Sequence, residues 1–466
     1  MSFNDLIARI DDIIWGLPLV ILIMGCGLLL TVRLHFVQIR HLPLALKYMI
    51  KSEEEGDGDI SSFAALCTAL SATIGTGNIV GVATAMAVGG PGALFWMEIA
   101  ALLGMATKYA EGFLSIKYRI TDKRGEKLGG PFYYIENGMG RKFHPLAKMF
   151  ALFGVLAGLL GIGTITQING ITSAANSFFK GEQGRQISLF GQEYSLVTVI
   201  AGIIITLFAA LVIIGGIKNI SKVSQIIVPF MALTYILCVI IILITNYEKI
   251  PSAISQIISG AFGLRPVGGA AVGTAMLTAM QKGVARGIFS NEAGLGSAPI
   301  AAAAAKTKDT VRQGLVTMTG TFIDTICICT MTGLSIVIAG TWEQKDLEGV
   351  EITSAAFRSG LPFPERLSEG ILMVCLVFFA FTTILGWSYY SERCLAYLLG
   401  GRATPTAAKA FRILYICAVF IGPYLTVSAV WGIADIFNAL MAIPNVTALI
   451  ALSKVTAKET LEYKTQ

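Results

Sequence analysis

The chain has 466 residues, of which 55% are hydrophobic and 14% charged, and its mean hydropathy is +0.71. Soluble domains carry roughly a quarter charged residues, so this composition excludes an ordinary water-soluble enzyme and points to a chain built for hydrocarbon. The net charge of +6 is modest and its basic residues are scattered among loops, which excludes the basic stripe of a nucleic-acid-binding protein.

Asp5, Asp11 and Asp12 precede the first apolar run and no small-residue cleavage site closes it, so no removed leader is expected. Crossing a bilayer takes about 20 apolar residues whose backbone satisfies its own hydrogen bonds. In chain order, spans are expected at 13–32, 61–88, 91–116, 149–176, 195–216, 223–245, 268–305 with an interruption, 314–340, 368–398, 408–424 and 428–452, eleven in all. Most Lys and Arg residues fall in alternate loops, at 33–51, 117–148, 218–222, 306–312 and 393–412 and in the C-terminal tail. The positive-inside rule therefore places the N-terminus outside and the C-terminus in the cytoplasm, and eleven spans with short loops fit a prokaryotic inner membrane best.

The loops carry little chemistry, and the outward stretch 341–366 has the length of a short lid. The eight cysteines lie in or beside apolar runs without zinc-site or disulfide spacing, and His35, His41 and His144 sit in short basic loops. No cofactor, nucleic acid or obligatory protein partner is implied.

Setting the first span aside, ten remain, and they divide five and five. The first helix of each half is interrupted, by TIGTGNIVG at 73–81 and by SNEAGLGSAP at 290–299. Glycine-broken helices at matching places mark a transporter site between inverted repeats, and an odd number of spans per half forces opposite topology. The expected organisation is an extra N-terminal helix and basic loop over 1–59, repeats over 60–246 and 247–452, and a cytoplasmic tail over 453–466. The fold class is an all-α integral membrane protein with a 5+5 inverted repeat.

A break exposes backbone N–H groups on one side, suited to a carboxylate, and carbonyls on the other, suited to a desolvated cation. At the first break Gly75 and Gly77 stand among Ser71, Thr73, Thr76 and Asn78, too polar a set for helix packing alone. At the second, Asn291 and Glu292 interrupt an apolar span, and a charge at that depth marks function. Gln167 lies near the middle of span 149–176, where it suits substrate contact or an interhelical hydrogen bond. Thr382 and Thr383 are adjacent hydroxyls suited to a small hard cation, or to bonding the preceding turn. Asp324 is isolated in an apolar run, placed to neutralise a cation, carry a proton or pair with a base.

At these residues the chain resembles the alanine or glycine:cation symporter family, the sodium:alanine symporters, within the amino acid-polyamine-organocation superfamily. The matching stretches are TALSATIGTGNIVGVATA at 68–85, GGPFYYIENGMG at 129–140, FSNEAGLGSAPIAAAAA at 289–305, TTILGWSYYSE at 382–392 and ADIFNALMAIPN at 434–445. The resemblance implies a leucine-transporter-like fold, alternating access and sodium-driven uptake of alanine or glycine. It implies that amides at Gly75, Thr76 and Gly77, with Asn78, take the substrate carboxylate. Phe289, Ser290, Asn291 and Gly294 would face the amino group or side chain near Gln167, and Trp387 would limit side-chain volume. Sodium would sit among carbonyls near Ser71 and Ile74 and the hydroxyls of Thr382 and Thr383. Arg286 and Asp435 resemble an outer charged gate, or form a plain structural ion pair.

Rival classes fit less well. An enzyme would need a convergent nucleophile or metal set, and a pump a phosphate-cradling GxxxxGK[ST] loop; a channel would need a continuous polar pore. Proton coupling through Asp324 or Glu292 is the alternative to sodium, and serine or glutamine the alternative to alanine and glycine.

Overall fold

In hydrocarbon a backbone must bond to itself, and the chain does so almost entirely with helix. The computed structural model describes residues 3–51, 58–122, 125–179, 184–189, 192–263, 269–401, 404–425 and 427–463. Residue 268, where the seventh expected span begins, and 464–466 of the expected tail lie outside them.

Helices stand at all eleven expected places. Among the described residues seven are long and apolar enough to cross a membrane, with Arg141–Phe178 counted as one, and Ser62–Thr73 with Gly77–Gly89, bent by 49°, makes an eighth if counted as one. Of the remaining three, Leu17–Arg33 has 17 residues. Gly92–Lys117 carries Glu98, Lys108 and Glu111 in its apolar run, and Gly269–Asn291 carries Lys282 and Arg286. Length and apolarity alone therefore account for eight of the eleven.

The distribution of polarity is inverted relative to a soluble protein. Helices Leu196–Ile213 and Ile217–Thr245 present Leu207, Leu211, Ile226, Leu233 and Leu237 outward, the face that hydrocarbon accepts. The first broken helix is instead buried at the centre, and its Thr68, Ser71, Thr76 and Asn78 are inside.

Two elements differ from expectation. Span 149–176 is not continuous: it consists of His144–Leu160 and Ile165–Phe178, interrupted at Gly161–Thr164. The Thr164 hydroxyl caps Leu159 O at 2.7 Å, and the Tyr415 hydroxyl donates to Gly163 O at 2.7 Å. A Cβ on Gly163 would lie 2.6 Å from Trp387 Cβ, so glycine lets this interruption pack against helix Glu365–Leu398. The last helix runs from Val427 to Glu462, well past the boundary expected at 452. The stretch 341–366 does hold a short helix, Val350–Gly360.

The loop at 117–148, expected to be chemically quiet, reaches the far ends of both broken helices, and its Lys127 amide donates to Asp59 Oδ2 at 3.1 Å just before the first. Ile60 pairs in parallel with Ala305. Arg119 of the same loop donates to the carbonyls of Ala303 (3.0 Å), Ala305 (2.9 Å) and Thr307 (2.5 Å). Arg393 adds an ion pair to Glu126 at 2.9 Å.

Candidate functional site

At the first break the helix Ser62–Thr73 ends at Ile74, whose extended backbone leaves its carbonyl outside the helical ladder. Helix resumes as a π-turn over Gly77–Gly81. The Gly75 amide donates to Asn78 Oδ1 at 2.9 Å, and the Thr76 amide to Gln167 Oε1 at 3.1 Å. Two side-chain oxygens thus occupy the amides expected to receive a carboxylate. The interruption at 161–164 locates Gln167, because its Nε2 donates to Ile162 O at 2.9 Å.

The Thr383 hydroxyl donates to Ile74 O at 3.2 Å, so the expected ion-site carbonyl and one expected hydroxyl do meet. Thr382 bonds Phe378 O and Phe379 O, both at 3.0 Å, and faces Met231 Sδ at 3.6 Å. Its side chain follows the preceding-turn alternative. The Ser71 hydroxyl likewise bonds Thr68 O of its own turn at 2.8 Å.

At the second break the helix ends at Asn291, and Glu292, Gly294 and Gly296 take φ of +57, +88 and +79. A non-glycine residue at positive φ is strained unless its surroundings hold it. Here Glu292 Oε1 accepts the Trp387 indole N–H at 2.7 Å, and its Oε2 accepts the Ser297 hydroxyl. Trp387, expected beside the pocket, is therefore engaged at the second break and lies against Gly163. Asn291 turns inward, its Oδ1 accepting from the Ala293 amide at 2.9 Å while its Nδ2 donates to Thr325 at 3.0 Å.

Asp324 joins the two breaks. It is fully buried in a π-helical stretch, Phe322–Cys329, a distortion often found where a side chain must be aimed into a site. Its Oδ1 accepts from Asn78 Nδ2 of the first break at 2.7 Å, and its Oδ2 from Ser290 of the second at 2.9 Å and from Thr325 at 2.7 Å. Gly77 marks the close approach of the two helices, since a Cβ there would lie 3.1 Å from Ser290 Cα and 3.3 Å from the Phe289 ring.

Arg286 and Asp435 form a two-pronged pair at 3.0 and 2.8 Å. The guanidinium lies over the Trp431 ring at 4.9 Å and the Phe289 ring at 5.5 Å. A cavity of about 930 Å³ is lined by Trp431, Val80, Thr84, Asn169, Gly170 and Trp342, among others. Removing one member of a buried ion pair strands the other charge, which typically costs ~3 kcal/mol or more. We therefore expect Asp435→Ala to lower the thermal unfolding midpoint in detergent by several degrees; an unshifted midpoint would make the pair energetically idle.

Two buried charges beside the breaks lie outside the residues expected from the sequence. Glu111 is fully buried and accepts from the Gly294 and Gly296 amides and from Asn445. Lys108, buried one turn earlier, lies within electrostatic reach of Glu111, Glu292 and Asp324. Both are charges inside the apolar run 91–116, the same signal that marked Glu292 and Asp324.

Comparison with known proteins identifies the family and the fold. The family model described as the sodium:alanine symporter family matches residues 1–466. An uncharacterised transporter of Haemophilus influenzae is 52% identical over 463 residues, covering 99% of this chain and 96% of its own. The sodium/alanine symporter AgcS of Methanococcus maripaludis is 46% identical over 472 residues, covering 99% and 98%. The crystal structure of MhsT in complex with L-phenylalanine superposes with a TM-score of 0.56 at 12% identity, covering 87% of this chain and 99% of that one, which shows the fold. This chain is a multi-pass membrane transporter rather than an enzyme, and it belongs to the sodium:alanine symporter family.

Proposed function

We propose that the chain is a sodium-coupled symporter that carries a small neutral amino acid, alanine or glycine, into the cell by alternating access. The observation that carries this reading is the first break, where carboxylate chemistry and cation chemistry lie within one turn. The Gly75 and Thr76 amides are held by neutral oxygens that an incoming carboxylate can displace. The Ile74 carbonyl faces the Thr383 hydroxyl beside them. Hard oxygen ligands of this kind suit a small alkali cation. The description of the Methanococcus maripaludis relative as a sodium/alanine symporter supports sodium as the coupling ion and alanine as the substrate.

In this reading the carboxylate meets Gly75, Thr76, Gly77 and Asn78. The rest of the substrate lies toward Gln167, Phe289, Ser290, Asn291 and Gly294, with Trp387 acting from the second break. Sodium is held by Ile74, Thr383 and carbonyls near Ser71, with Thr382 supporting from the next position. The close approach at Gly77 favours a methyl-sized side chain. The two repeats, 60–246 and 247–452, rock about this site. The chain lies in a prokaryotic inner membrane with its N-terminus outside and its C-terminus in the cytoplasm, as the loop charges direct.

A second reading, proton coupling, is favoured by three buried carboxylates, Glu111, Glu292 and Asp324, within electrostatic reach of one buried Lys108. Uptake of radiolabelled alanine into liposomes under an inward sodium gradient, a proton gradient or neither separates the two. Sodium alone should drive accumulation; accumulation with protons alone would move the coupling to Glu292 or Asp324. Under the sodium gradient, Thr383→Ala should raise the sodium concentration for half-maximal uptake about tenfold, the equivalent of ~1.4 kcal/mol. An unchanged sodium dependence would remove Thr383 from the ion site.

A further inference from the structure

The second break contains a carboxylate that belongs to the protein. Glu111 Oε1 accepts from the Gly294 amide at 3.2 Å, the Gly296 amide at 3.1 Å and Asn445 Nδ2 at 2.7 Å. Positive φ at both glycines, +88 and +79, turns these two amides toward one point, the backbone arrangement that makes an anion-binding concavity. Asn445 closes the ring by donating to Gly294 O at 2.9 Å and accepting the Tyr134 hydroxyl at its Oδ1. Three stretches quoted from the sequence, at 129–140, 289–305 and 434–445, thus converge on a residue outside all of them. Lys108 supplies a buried positive charge within electrostatic reach.

The first break is built differently, because its amides meet the neutral oxygens of Asn78 and Gln167. One cradle therefore holds a resident anion while the other holds exchangeable placeholders. We propose that Glu111 is a positioning residue, a built-in carboxylate that permanently fills the amide cradle of the second break and holds residues 292–297 in shape. The substrate carboxylate is then left only the first break. That last step rests on the symport reading, whereas the occupation of the cradle by Glu111 does not.

Removing the side chain should leave a hole shaped for a small carboxylate, so the test uses formate on the full-length protein. In detergent, formate at tens of millimolar should raise the unfolding midpoint of Glu111→Ala but not that of the wild type, with chloride at equal ionic strength as control. In liposomes, Glu111→Ala should lose at least ~tenfold in alanine uptake and recover at least ~threefold with formate. A folded Glu111→Ala protein indifferent to formate, or one with wild-type uptake, would overturn the proposal.

Glu111→Gln decides the matter if the alanine variant cannot be purified in either salt. Its amide oxygen can accept from the same three donors, and the Oε2 position it gives to an NH2 has no hydrogen-bond partner among the described residues. It should therefore keep uptake within ~tenfold of wild type; a folded but inactive glutamine variant would also overturn the proposal. Should the wild type itself not transport alanine, the formate-dependent midpoint still tests the cradle, so the two failures stay distinct.

Discussion

Asp324→Asn is expected to lower sodium-driven uptake at least ~100-fold while leaving the protein folded. The carboxylate holds three side-chain donors at once: Asn78 on Oδ1, and Ser290 and Thr325 on Oδ2. Asparagine offers one oxygen, so its NH2 must face either the Asn78 amide, a donor that cannot turn round, or the two hydroxyls, which would have to reorient. Hydrogen bonds to a charged group contribute about 1.5–3 kcal/mol each and neutral ones about 0.5–1.5 kcal/mol, so losing at least one and weakening the others removes about 3–6 kcal/mol of the coupling between the breaks. Volume is nearly conserved, which protects the fold. Initial rates in liposomes and a thermal midpoint in detergent separate the two effects. Uptake within tenfold of wild type would show that Asp324 is a packing residue and that the breaks move independently of it.

The main lines of this arrangement were legible because hydrocarbon makes polar residues conspicuous. The breaks at 73–81 and 290–299 and Asp324 follow from glycine, polar or charged residues in apolar runs, whereas the pairing of Arg286 with Asp435 follows from the family resemblance. The same rule applies to Lys108 and Glu111, but the run 91–116 around them also reads as one uninterrupted helix. The interruption at 161–164 repeats the close glycine pair of the first break, with Thr164, Thr166 and Gln167 beside it, but the run 149–176 also reads as one continuous span.

Thr382 and Thr383 mark a different limit. Adjacent residues on a helix point about 100° apart, so both hydroxyls cannot face one ion equally. The spacing could not say which one meets Ile74; the rotation of helix Glu365–Leu398 against the first break decides it. Gln167 is a third kind of case. Its depth in the span was readable, but its bond to the Thr76 amide depends on an interruption that the sequence reading treated as helix.

Gly75→Ala should damage both halves of the proposed site with a single methyl group. An ideal Cβ at Gly75 lies 2.5 Å from Thr383 Oγ1 and 3.0 Å from Gln167 Oε1. The backbone there does not need glycine for its φ, so the effect is steric rather than conformational. Thr383 is β-branched within a helix and its hydroxyl is also bonded to Phe379 O at 3.0 Å, which leaves it little freedom to rotate away. The methyl must therefore push the hydroxyl off the Ile74 carbonyl, the amide oxygen off Thr76, or both. Overpacking of this kind costs about 1–3 kcal/mol, so the sodium concentration for half-maximal uptake and the KM for the amino acid should each rise roughly 5- to 150-fold. Gly25→Ala, with nothing within 4 Å of its Cβ, is the control and should transport normally. If Gly75→Ala leaves both constants unchanged, the ion and the carboxylate do not share the first break. If only the sodium constant rises, the carboxylate lies beyond the reach of Gln167 and the cation assignment stands alone.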